Sequence, residues 1–174
     1  MHFTKIYLAI SLASSALALP ISGGASMAKR ALQFREYADF QISDGKAGNA
    51  LNAAKAKFPI DLNNLKGVSD SDLAIIKAAR ETAEDAETDA FNPQIKAASG
   101  DAADALQNGK IQNKVLKLFL EVTALQIEQA QGDDNQDKID EEQTKLNKNV
   151  SLDKKAAGQA SKGVVFKKDV QPDN

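Results

Sequence analysis

The segment KVLKLFLEVTALQI, inside residues 111 to 127, most narrows what this chain can become. Ile111, Val115, Leu118, Val122 and Leu125 form one helical seam, and Leu116, Phe119, Leu120 and Ile127 widen it until most of the circumference is apolar. A helix apolar nearly all round sits at the centre of a bundle. A membrane span is excluded, because Lys114, Lys117 and Glu121 interrupt the run well short of the roughly 20 apolar residues a span needs.

The flanking segments read as further helices. Ser43 and Asp44 are placed to cap one through residues 45 to 58, with Ala47, Leu51, Ala54 and Phe58 as its stripe and Pro59 as its end. Gly45-Lys46-Ala47-Gly48 is not a phosphate loop, since no strand precedes it and Gly-Lys-Ser/Thr is missing. Ser69 to Asp72 loosely matches a capping box before an Ala-rich helix. That helix carries the stripe Leu73, Ile76, Ala79, Ala83, Ala86 and Ala90, with Glu81, Glu84, Asp85 and Glu87 off it, and Asn92-Pro93 ends or kinks it. The central helix is expected from Asp101 to Gln131, with a break at Asn108-Gly109. Gly132 to Asn135 ends it and caps a last helix from residue 136, whose thin stripe is Ile139, Leu146, Val150 and Ala157. The expected fold is all-α: an antiparallel bundle of about four main helices spanning residues 31–161, with a tail, 162–174, that is mobile or held only by Val164-Val165-Phe166.

The N-terminus reads as targeting. Residues 1–18 carry Lys5, an apolar run from Ile6 to Leu17, and Ala16-Leu17-Ala18, a small-x-small pattern that marks a signal-peptidase cut after Ala18. Lys29-Arg30 lies in a Gly/Ser/Ala stretch too small to pack, so residues 19–30 are expected to be a pro-segment ending in a dibasic cut. Removing 30 residues from 174 leaves 144, enough to bury about two-thirds of the unfolded surface. Nineteen of the 22 basic residues then face 24 acidic ones, a net charge of −5 that argues against nucleic acid and anionic membranes as partners.

Chemistry is bounded by absences. The chain has no Cys and no Trp, and its one His, His2, leaves with the leader. That removes Ser-His-Asp and Cys-His catalysis, thiol redox chemistry and His/Cys metal or haem sites, so neither a cofactor nor a metal is expected. Asp133, Asn135 and Asp137 imitate the first ligands of a calcium loop, but Lys138 stands where Gly is needed and Thr144 where Glu is needed. Paired carboxylates remain the one route to hydrolysis, and no pair stands out. Phe34, Tyr37 and Phe40, three apart, are either a platform for a sugar or lipid or part of the core, and cores take such residues first. Phe34, Arg35 and Tyr37 are the candidate interaction anchors if they are exposed. Asn149-Val150-Ser151 is a sequon, and Asn149 off the apolar stripe is a candidate glycosylation site.

The segments FQISDGKAGNAL, FPIDLNNLKGVSDSDLAIIKAARETAEDAETDAFNP and ADALQNGKIQNKVLKLFLEVTALQIEQAQG resemble small secreted proteins of filamentous ascomycete fungi. The resemblance implies secretion and a cysteine-free helical domain at the fungal surface or in contact with a host, and supplies no functional residue. The function expected is therefore non-enzymatic binding of a protein, cell-wall or host partner. A carrier that takes an apolar ligand between Val115 and Ile127 is the alternative, and a carboxylate hydrolase the third.

Overall fold

A computed structural model describes residues 31–173. The signal and pro-segment, with Ala18, Lys29 and Arg30, lie outside the described residues. The described chain is an all-α bundle, as the apolar periodicities imply. A single turn, α1 (Tyr37–Phe40), leads to the two-residue strand β1 (Gly45–Lys46) and to α2 (Ala50–Lys57). A 3-10 turn (Leu65–Gly67) precedes α3 (Asp70–Ala86), whose Ser69 Oγ accepts the Asp72 N–H as an N-cap. A π turn (Glu87–Phe91) and α4 (Asn92–Ala97) follow, then α5 (Gly100–Gln131), α6 (Gln136–Lys155) and strand β2 (Ala160–Ser161).

At 32 residues α5 is about 48 Å long, and α2, α3, α4, α6 and β2 all pack on it. Val115, Leu116, Leu120 and Ile127 are completely buried, which makes α5 the axis of the core. Gly132, at φ +131°, ends it in a conformation L side chains rarely adopt. The four-residue link that it opens, 132–135, returns the chain as α6, antiparallel along α5.

The expected break at Asn108-Gly109 does not occur; α5 runs straight through. Gly109 is there because another chain segment crosses it: a Cβ at this position would lie 2.0 Å from the Lys162 carbonyl oxygen. The segment before α2 is not helical either. Gly45 and Gly48 take φ of +104° and +115°, and β1 pairs antiparallel with β2, Gly45 opposite Ser161 and Lys46 opposite Ala160. Neither Ser43 nor Asp44 caps the helix. The buried Asp153 of α6 does so from across the fold, accepting the N–H groups of Gly48 (2.8 Å) and Ala50 (2.9 Å). Asp44 instead accepts the Gly163 N–H, and the Ser43 hydroxyl donates to the Gly109 carbonyl.

The expectation of a mobile tail held by one cluster is also corrected. Val164 and Phe166 are buried, as the cluster implies, while Val165 is 80% exposed. Polar ties extend the strap in both directions. The Lys162 N–H donates to the Ala105 carbonyl, the Val170 N–H donates to Thr82 Oγ1, and Asp169 accepts the Tyr37 N–H. None of these ties follows from hydrophobic pattern.

Glu87 departs from the expected solvent face as well. The π turn before Pro93 rotates the chain relative to a continuous α-helix, and Glu87 ends 8% exposed, between Lys114 (3.0 Å) and Lys117 (3.4 Å). Leu146, on the thin stripe of α6, is only 4% exposed, so α6 is seated more deeply than its pattern suggests.

Candidate binding groove on the α3–α5–α6 face

Of the three aromatics spaced three apart, Tyr37 and Phe40 are core and Phe34 is not. Tyr37 is completely buried and Phe40 2% exposed, stacked edge-on with centroids 5.4 Å apart, with Phe166 and Phe58 continuing the cluster. The Tyr37 hydroxyl donates to Asn113 Oδ1 (2.8 Å), and the Asn113 amide donates to the Ala83 carbonyl (2.8 Å), so both polar groups are satisfied inside the core. Arg35 lies over the Phe58 ring at 5.0 Å and donates to the Lys57 carbonyl. Phe34 alone of the three anchors is exposed, at 38%, and the gap beside it is about 10 Å³, room for no more than a water. Tyr37 is therefore withdrawn as an interaction residue: an aromatic three positions from its neighbours was absorbed where apolar area is most stabilising.

Burial pushes the Tyr37 phenol far above its ordinary range. Beyond residue 30 it is the only tyrosine, so absorbance at the phenolate band reports it alone. An acid whose folded pKa is raised contributes stability that is present below the unfolded value, near 10, and is lost as pH rises past it. The expected result is no phenolate signal on titration through pH 10, then a cooperative rise together with loss of helix. A smooth titration centred near pH 10 in a still-helical chain would show that Tyr37 is not buried.

Asn149 is corrected too. It is 8% exposed, and its amide nitrogen, the atom a glycan would occupy, donates to the Lys145 carbonyl one turn earlier. The pattern argument placed it off the apolar stripe, which is true, but the flank it occupies is a groove wall and not open solvent. In the link before α6, Asn135 is buried and donates to Glu128. Among the described residues no cluster of His, Cys, Asp or Glu is arranged to hold a metal ion, and no helix is long and apolar enough to cross a membrane.

What pattern reading missed is a trough of about 650 Å³ between α3 and α6, floored by α5. The floor is one stripe of α5: Gln107, Ile111, Lys114, Leu118 and Glu121. These positions follow helical spacing, so they share one face of α5, exposed at Gln107, half-buried at Ile111, Lys114 and Glu121 and buried at Leu118. The wall from α3 supplies Arg80 and Glu84, and the wall from α6 supplies Glu142, Lys145, Lys148, Asn149 and Leu152. Lys110 and Lys117 complete the lining, which holds six cations against three carboxylates in a described chain that is acidic overall.

Ion pairs fix most of these groups. Arg80 bonds Glu121 (2.9 Å) and Glu81 (3.1 Å), Lys117 bonds Glu84 (2.7 Å), and Lys145 bonds Glu141 (2.7 Å) and Glu142 (2.8 Å). The Lys145 pairing hydrogen-bonds its ammonium and raises its pKa, while the same contact lowers that of Glu141. Lys110 meets only the Asn92 side-chain oxygen (3.1 Å), and among the described residues Lys148 has no ion-pair partner. Two cations thus stand at the trough without a carboxylate, above a floor with apolar Ile111 and Leu118 and beside Leu152, itself 37% exposed. The signal available in sequence was the helical spacing of Lys110, Lys114 and Lys117 at the start of the apolar run of α5. Read one helix at a time, it only interrupts a hydrophobic run.

No curated protein and no solved structure matches this chain. A family described as a domain of unknown function matches residues 32–165, from just inside the first described residue to the middle of the C-terminal strap. The chain therefore belongs to that family, DUF8454.

Proposed function

We infer that this is a secreted, non-enzymatic helical protein that acts by binding a partner at the cell surface, in the surrounding medium or at a host interface, and that it binds through the trough between α3 and α6. The observation that carries the reading is the trough itself: a partly covered stripe of the central helix with cations that lack a carboxylate at Lys110 and Lys148. Each trough carboxylate is engaged by a cation, Glu84 by Lys117, Glu121 by Arg80 and Glu142 by Lys145, which leaves no free acid–base pair for hydrolysis. An apolar carrier has less support, because Val115, Leu116, Leu120 and Ile127 are packed solid and the available volume lies on the charged face. Secretion is supported by the leader ending at Ala18 and by the likeness to fungal secreted proteins. The family match begins at residue 32, just past Lys29-Arg30, which is compatible with a cut at that pair.

Two measurements test this. Intact mass and N-terminal peptides of secreted material should give an unglycosylated chain starting at Ala31; a start at Leu19 would remove the pro-segment and leave secretion standing. Capture from culture and host extracts should recover a partner with the native chain and with Phe34→Ala, and lose it with Lys110→Glu/Lys148→Glu. Loss with Phe34→Ala alone would move the binding surface to the N-terminal end.

A further inference from the structure

We propose that the occupant of the trough is an acidic amphipathic helix of a partner protein, a deepening that rests on the trough being the binding surface. Its shape comes first. Helices α3 and α6 each pack along α5, and the trough lies between them, in the place a further helix of a bundle would fill. Its floor from Gln107 to Glu121 covers about 21 Å of α5, some four turns of a helix laid along it. The volume, about 650 Å³, admits the side chains of one helix face.

Chemistry selects the sign. Half-buried Ile111 and the 37% exposed Leu152, with the buried Leu118 in the floor, offer a narrow apolar strip for Leu-like anchors at helical spacing. Lys110 on α5 and Lys148 on α6 flank it, and neither is neutralised within the fold, so carboxylates beside those anchors complete both. Arg80, Lys114, Lys117 and Lys145 are already neutralised, in part by Glu81, Glu87 and Glu141 outside the lining, so the free positive charge at the trough is that of Lys110 and Lys148. A uniform polyanion fits less well, because Glu84, Glu121 and Glu142 are interleaved among the cations and would repel an unbroken row of negative charge. An amphipathic helix spaces its carboxylates and meets the strip between them.

The test uses the purified secreted chain and synthetic helical peptides of about 20 residues, long enough to hold helical structure. One carries Leu at i, i+4, i+7 and i+11 flanked by Glu; the others are its scramble, its Lys-for-Glu counterpart and a linear oligouronate without apolar groups. Fluorescence anisotropy should show the patterned acidic peptide binding at least about tenfold more tightly than each of the others, with affinity falling on added salt. Lys110→Glu/Lys148→Glu and, separately, Leu152→Gln should each weaken it by about tenfold while the circular dichroism spectrum is unchanged. Equal binding of scramble and patterned peptide would overturn the proposal, and preference for the oligouronate would replace it with a linear polyanion site. If no peptide binds while capture still fails with the Lys110/Lys148 variant, the helical occupant is wrong and the trough reading survives. If the variant also captures normally, both fall.

Discussion

Gly109→Ala is expected to destabilise the folded chain by about 3 kcal/mol, although the same change in a helix interior ordinarily stabilises by up to about 1 kcal/mol. The reversal of sign comes from one crossing. The added Cβ would sit 2.0 Å from the Lys162 oxygen, 2.8 Å from its carbonyl carbon and 3.2 Å from the Phe91 ring. Backbone, unlike the end of a flexible side chain, has nowhere to swing. The strap is pinned on each side of the clash by Lys162 N–H to Ala105 and Gly163 N–H to Asp44. The Gly109 carbonyl also accepts the buried Ser43 hydroxyl, so α5 cannot shift away without stranding a polar group. Denaturant unfolding measures the loss. In a chain shortened to end at Ser161 the penalty should shrink or change sign, which assigns the effect to the strap and not to the helix.

Leu120→Ala is expected to lose about 3 to 4 kcal/mol, against less than about 1 kcal/mol for Leu152→Ala. Leu120 is completely buried on the axis of the bundle, enclosed on every side, so the cavity left by truncation has little room to collapse. Leu152, 37% exposed on the trough wall, already meets water and leaves a dent that solvent fills. Both substitutions remove the same atoms from a helix, so propensity cancels and the difference reads burial alone. Comparable losses would place the centre of the bundle elsewhere than α5.

The central helix was legible because its periodicity is nearly closed: Val115 to Ile127 leaves only one orientation in which most of the surface is covered. Ser69 as an N-cap, the end of α2 before Pro59 and the change of helix near Asn92-Pro93 were legible for local reasons, since each depends on residues within a turn of one another. The α2 cap was not. Asp153 lies 105 positions from the N–H of Gly48, and nothing in the local sequence can point to it. The strap failed to announce itself for the same cause. Beyond Val164 and Phe166, whose burial the apolar cluster implied, it binds through the Asp169 carboxylate and the backbone groups of residues 162, 163 and 170, which carry no apolar pattern. Gly109 looked like a helix breaker because a glycine chosen for close approach and one chosen for flexibility are the same letter. The trough was the least visible part of all: its lining comes from three helices, and on its own helix each set reads as something else, a solvated face on α3 and α6 and an interrupted apolar run on α5.

A photoactivatable amino acid in place of Lys148, compared with one at Val165 on the strap, tests the binding surface most directly. Both positions lie in well-formed parts of the fold: Lys148 lines the trough, and Val165 is 80% exposed on the strap. Exposed to extracellular or host extracts and irradiated, the chain labelled at Lys148 should give a discrete adduct that excess unlabelled protein suppresses and Lys110→Glu weakens, while the Val165 probe should give none. A competed adduct from Val165 with nothing from Lys148 would contradict the account and put the binding surface on the strap.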